Sequence, residues 1–156
     1  MIRQTVLALA VCSLVGLGVR AAEPKLSQEE AVAKIKKLGG SVVVDEQKVG
    51  KPVKAVYLEA TRVTDKELVL LKSLPSVILL YLTKTQVGDA GLAHLKELKN
   101  LRTLILDQTK VGDAGLAHLK ELKKLQSLYL RKTQVTKKGV DELKKALPEL
   151  EIVTGE

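Results

Sequence analysis

The stretch VGDAGLAHLKELK stands at Val87–Lys99 and again, without a difference, at Val111–Lys123, so its two copies begin 24 residues apart. A repeat of that length constrains a chain more than any local propensity does, because repeating units stack on one another and settle the whole architecture. The period extends well beyond the two copies. In blocks of 24 the middle of the chain reads VKAVYLEATRVTDKELVLLKSLPS, VILLYLTKTQVGDAGLAHLKELKN, LRTLILDQTKVGDAGLAHLKELKK and LQSLYLRKTQVTKKGVDELKKALP, the last unit being slightly longer near its end.

Each column of these blocks keeps one character. Apolar residues recur at Val53, Val77, Leu101 and Leu125, at Val56, Leu80, Leu104 and Leu128, and at Leu58, Leu82, Leu106 and Leu130. The second and third columns are separated by one residue, the alternation of a strand with one face buried. Threonine follows at Thr61, Thr85, Thr109 and Thr133, then valine at Val63, Val87, Val111 and Val135. In the second half of the unit Leu92, Leu95 and Leu98 are three apart, which predicts one face of a helix. Asp89 and Asp113 stand where its first turn wants an N-cap. The unit is therefore one strand, one turn and one helix. Such units bury their leucines against each other, which lets a chain with three Tyr and neither Phe nor Trp build a core.

The pattern L-x-x-L-x-L-x-x-T-x-V-x-D-x-G-L-x-x-L resembles that of leucine-rich repeat proteins, in the secreted bacterial variety with a helical outer segment, similar to internalins and to ribonuclease-inhibitor-like repeats. The resemblance covers residue 53 to about residue 153. It implies an α/β solenoid, a curved right-handed superhelix with a parallel sheet on its concave face and helices on its convex face. It also implies a binding module. The chain departs from the usual pattern by placing Thr where Asn or Cys is common. A hydroxyl at that buried bend is expected to bond the backbone of a neighbouring coil, since buried polar groups need partners.

The beginning of the chain has a different logic. Arg3 precedes an apolar stretch from Thr5 to Val19, which ends at Val19-Arg20-Ala21, the layout of a secretory signal peptide over residues 1–21. The stretch is short for a membrane span. Cys12 follows Leu9-Ala10-Val11, but Val11 is too large for a lipoprotein box and the apolar run continues past it. A secreted or periplasmic protein without lipid anchoring is expected. Removal of the segment takes away the single cysteine, and with it any disulfide.

Residues 22–52 are expected to form an N-terminal cap. Ser27 and Glu30 make a capping box, Val32, Ile35 and Leu38 share one helix face, and Gly39 can end the helix. The strand SVVVDE follows. Only about seven residues separate it from the first repeat strand, fewer than a parallel crossover needs, so it should lie antiparallel on the sheet's first edge. Residues 53–148 hold the four repeats, and residues 149–156 a last short strand from PELEIV.

Candidate chemistry is sparse. The repeat supplies Asp89 with His94 and Asp113 with His118, but the aspartates suit capping and the histidines the flank of a helix. The positions equivalent to the histidines are Leu70 and Glu142, too few ligands for a zinc site. No nucleophile stands with a base, and neither a phosphate-cradling glycine loop nor paired cysteine spacing is present. Neither a catalytic residue nor a metal or cofactor site is assigned.

The remaining candidates lie on surfaces. With Leu80 and Leu82 pointing inward, strand alternation turns Leu79, Tyr81 and Thr83 outward. Stepping by the repeat gives a central concave column Tyr57, Tyr81, Ile105, Tyr129, flanked by Glu59, Thr83, Asp107, Arg131 and by Ala55, Leu79, Thr103, Ser127. All three tyrosines fall in one column, and tyrosine is a favoured interface anchor. The central and Glu59 columns are the candidate contacts for a protein ligand. On the convex side Lys72, Lys96, Lys120 and Lys144 form a second column, offering an acidic polymer or envelope surface as the alternative partner, and a structural module of a larger assembly is the third reading. The chain's net charge of +8 becomes +6 once Arg3 and Arg20 leave with the signal. Nucleic acid is not an expected partner, since no recognition helix or aromatic-rich motif accompanies the charge. Mass spectrometry of envelope fractions should find the chain beginning near Ala22 or Glu23; an intact Met1 or a lipid on Cys12 would contradict the signal reading.

Overall fold

The structure, a computed structural model, describes residues 26–155. The expected signal segment and Cys12 lie outside these residues. The first element is helix α1 (Gln28–Lys37), closed at its start by reciprocal bonds: the Glu30 N–H donates to the Ser27 hydroxyl at 3.1 Å and the Ser27 N–H donates to the Glu30 carboxylate at 2.9 Å. Gly39, at φ +86°, turns the chain out of the helix in a conformation few other residues hold.

Strand β1 (Ser41–Val44) then runs antiparallel to β2 (Val53–Tyr57), pairing Ser41 with Tyr57 and Val43 with Ala55. Strands β3 (Leu79–Tyr81), β4 (Thr103–Ile105), β5 (Ser127–Tyr129) and β6 (Glu151–Val153) add in order, each parallel to the one before. The register is one repeat per strand throughout: Tyr57 opposes Tyr81, Tyr81 opposes Ile105, and Ile105 opposes Tyr129. The apolar columns form one continuous core, with Leu80, Leu104 and Leu128, and Val63, Val87 and Val111, all fully buried. After each inner strand the chain passes through a left-handed turn at a non-glycine residue, Ala60, Lys84, Gln108 and Lys132, at φ between 54° and 57°. Such a residue costs about 1–2 kcal/mol. It is held by the ladder, because Ala60, Lys84 and Gln108 each donate their N–H to the next coil at 2.8–3.0 Å.

The outer segments depart from the expected helices. The first repeat carries only a 3-10 turn (Glu67–Ser73). The next two carry one α-turn each, α2 (Asp89–Leu92) and α3 (Asp113–Leu116), continued as 3-10 at Ala93–Glu97 and Ala117–Leu119. The reason is in the spacing. Leu92, Leu95 and Leu98 are each fully buried at intervals of three, and three residues per turn stacks them on one line where an α-helix would spread them around its axis. In the last repeat the buried positions are Gly139, Leu143 and Leu147, four apart, and there α4 (Lys137–Ala146) is a regular α-helix.

Two further expectations are corrected. The N-cap of α2 is Gly88 and that of α3 is Gly112, with no side-chain cap. Asp89 instead reaches along the stack to accept the Gly112 N–H at 2.7 Å, as Asp65 does from Gly88 at 2.7 Å and Asp113 from Thr136 at 2.8 Å. Gly115 makes room for this: a Cβ there would lie 2.5 Å from an Asp89 carboxylate oxygen, and one at Gly91 equally near Asp65. The second correction concerns the threonines. Thr85 donates its hydroxyl to the Leu82 carbonyl at 2.7 Å and Thr109 to Leu106 at 2.6 Å, so each bonds its own coil and closes the bend locally.

Both corrections are testable. Replacing Thr85 or Thr109, 5% and 6% exposed, by Val removes the donor that satisfies a buried carbonyl and should cost about 1–3 kcal/mol in denaturant unfolding; unchanged midpoints would contradict the bond. Gly115→Ala should cost about 1–3 kcal/mol through overpacking. The double variant Gly115→Ala/Asp89→Ala should cost less than the two single changes together, since deleting the carboxylate removes the clash; strict additivity would contradict the contact.

Candidate binding face

The sheet has one face packed on the leucine core and one open face. On the open face Tyr57, Tyr81, Ile105 and Tyr129 stand side by side in register, each half-buried. The Tyr57 and Tyr81 rings stack with centroids 4.8 Å apart and planes inclined by 27°. That geometry favours a rigid aromatic platform. Val153 opposes Tyr129 and prolongs the ridge across β6. Beside it, the column Val43, Ala55, Leu79, Thr103, Ser127, Glu151 grades from apolar at the β1 end to polar at the β6 end. Val43 is 51% exposed, a large apolar contribution from β1 that the repeat arithmetic alone does not place on this face.

The flanking column Glu59, Thr83, Asp107 and Arg131 is brought beside the ridge. Glu59 and Arg131 are exposed, whereas Asp107 accepts the Arg131 N–H at 2.8 Å and so has one oxygen engaged by backbone. The eight residues singled out in sequence thus share one surface.

The convex lysines make a weaker feature. Lys72 and Lys120 are half-buried, and neighbouring Lys99 is bridged to Glu121 at 3.1 Å. His94 is half-buried and His118 exposed. Burial, followed by the nearby Lys72 charge, moves the His94 pKa down and favours its neutral form. Among the described residues no three His, Cys, Asp or Glu side chains gather as a metal site would need.

The edge where the strands begin lies outside the outward-facing columns. There Lys48, Lys54, Arg102 and Lys124 surround a groove of about 230 Å³ with Pro52 and Ile78 in its wall. A neighbouring groove of about 320 Å³ shares Arg102 and Lys124 and continues to Glu149. Lys54 pairs with Asp45 at 2.9 Å, and that bond holds the Asp45 carboxyl below its ordinary pKa. Lys124 donates to the Asn100 side-chain oxygen at 2.8 Å, while Asn100 donates to the Pro75 carbonyl at 3.2 Å. The signal was present in the repeat frame, since Lys54, Ile78 and Arg102 occupy one column and Asn100 and Lys124 another. Lys48 comes from the β1–β2 connection, outside the frame.

The fold is that of a leucine-rich repeat solenoid. No protein-family model and no curated protein matches the chain. Solved structures do. An internalin from Listeria monocytogenes is similar at 16% identity over 66% of this chain and 34% of that one, with a TM-score of 0.45. A crystal structure of PEPR1–AtPEP1 is similar at 17% identity over 72% of this chain and 19% of that one, with a TM-score of 0.42. Internalin C2 from L. monocytogenes is similar at 14% identity over 81% of this chain and 85% of that one, with a TM-score of 0.27. The chain spans about a third of the first of these and about a fifth of the second. Among the described residues no helix is long and apolar enough to cross a membrane.

Proposed function

We propose that this chain is a non-catalytic binding module, exported from the cell, that recognises a protein through the open, concave face of its sheet. The observation that carries this reading is the unbroken in-register ridge of Tyr57, Tyr81, Ile105 and Tyr129, with its stacked pair of rings. An apolar ridge on an otherwise charged surface marks recognition, because water gains when it is covered. Tyrosine adds a hydroxyl that finds hydrogen-bond partners at an interface and few rotatable bonds to freeze. The strands beneath are locked to both neighbours, so the anchors are organised before a partner arrives and little entropy opposes binding. The export reading follows from residues 1–21, and a short face with few anchors suits a protein or peptide ligand better than a small molecule.

The experiment is affinity capture with the chain from Ala22 onward on extract from its own cell envelope, followed by titration of the captured partner. Tyr81→Ala should weaken that complex by more than about 1 kcal/mol, the range of a hot-spot residue. Thermal unfolding should lose no more than about 0.5–1.5 kcal/mol from the stack with Tyr57, since the ring lies outside the core. Lys96→Ala with Lys120→Ala should alter the complex little. A silent Tyr81→Ala together with loss of binding in the lysine pair would refute the concave reading and restore the convex alternative.

A further inference from the structure

The groove system along the strand-entry edge is a site of another kind, and we propose that it receives an acidic polypeptide segment of the partner, an inference that rests on the preceding reading only for the partner's being a polypeptide. Area is the first reason. Six strands about 4.8 Å apart, of three to five residues at about 3.3 Å each, give the open face on the order of 300 Å² of projected area. A stable interface covers about 800 Å² on each side. A partner anchored on the ridge therefore overruns at least one edge of the sheet.

Charge distinguishes the edges. The turns that follow the strands carry mixed signs, with Glu59 and Asp107 near Lys84, Arg131 and Lys132. The edge where strands begin carries Lys48, Lys54, Arg102 and Lys124 around one groove. Asp45 bonds Lys54 and also feels the charge of Lys48, but among the described residues no carboxylate lies within bridging distance of Lys48, Arg102 or Lys124. Among the described residues Arg102 and Lys124 form no salt bridge, and Glu149 is the one carboxylate that lines the adjoining groove with them.

Shape and continuity complete the case. Lys54, Ile78 and Arg102 immediately precede Ala55, Leu79 and Thr103 of the open face and lie three residues before Tyr57, Tyr81 and Ile105, so the groove adjoins the face that carries the ridge. The bond from Lys124 to Asn100, itself tied to Pro75, holds one ammonium above the groove before binding. Arg102 offers a planar fork that suits a carboxylate, while Pro52 and Ile78 meet the methylene stems that glutamate carries and a phosphate chain lacks.

The test uses the chain from Ala22 onward with two probes, fluorescent poly-L-glutamate and long-chain inorganic polyphosphate, by anisotropy at low salt. Poly-L-glutamate should bind. Arg102→Gln/Lys124→Gln should weaken it by about tenfold or more, and the charge-matched Lys96→Gln/Lys120→Gln by less than about threefold. Circular dichroism should report both pairs as folded. Tyr81→Ala should leave this binding unchanged, since the probe has nothing apolar for the ridge. That separates the two readings: loss of the ridge's role with the natural partner leaves the groove result standing. Equal weakening by the two lysine-containing pairs would overturn the proposal in favour of diffuse attraction. No binding of poly-L-glutamate would overturn it outright, and groove-dependent binding of polyphosphate alone would overturn it in favour of a phosphate polymer.

Discussion

The bond from an aspartate of one coil to a backbone N–H of the next governs the rest of the structure. Asp65, Asp89 and Asp113 each make it at 2.7–2.8 Å. A coil of 24 residues has no interior of its own, so its leucines are buried only if the next coil arrives in register. The carboxylate is a short ruler for that register, and a charged acceptor makes a stronger bond than a neutral one. Asp113 accepts from both the hydroxyl and the N–H of Thr136, the hydroxyl chiefly depressing its pKa. A depressed carboxyl contributes stability that is present above the unfolded pKa, about 3.9, and lost as pH falls through the lower folded value.

With the coils held in step, everything periodic in sequence becomes a straight column in space. The three tyrosines form a ridge only because the strands pair without slip, since a shift of one residue would turn them into the core. The left-handed turns at Ala60, Lys84, Gln108 and Lys132 are another product of that lock. No residue in that column has the glycine that such a backbone prefers, and the ladder on either side supplies what the side chain does not.

The strands, their order and the outward columns were legible in sequence because alternation leaves few choices once the period is known. The outer segments were misread at one point: an interval of three at Leu92, Leu95 and Leu98 fits either a helix face or a 3-10 turn, and counting cannot separate them without the length available to the segment. A cap bond and a bond to the next coil need the same residue at the same place, so Asp89 alone does not tell them apart. Gly115, which only the second role requires, carried the distinguishing information. The basic edge escaped notice for another reason. Lys48 belongs to no repeat, and its meeting with Arg102 and Lys124 depends on how the β1–β2 connection crosses the end of the stack.

The contact between Asp89 and Gly115 gives the verbatim duplication a physical meaning. A unit beginning VGDAGL carries, on its own, the glycines that admit the preceding carboxylate and the aspartate that engages the following coil. Both of its borders are therefore complementary to another copy of itself. Such a segment can be copied in tandem and lengthen the stack without any change at the junctions. In the last repeat Lys137 stands where that aspartate would be, so the final coil receives a carboxylate and offers none.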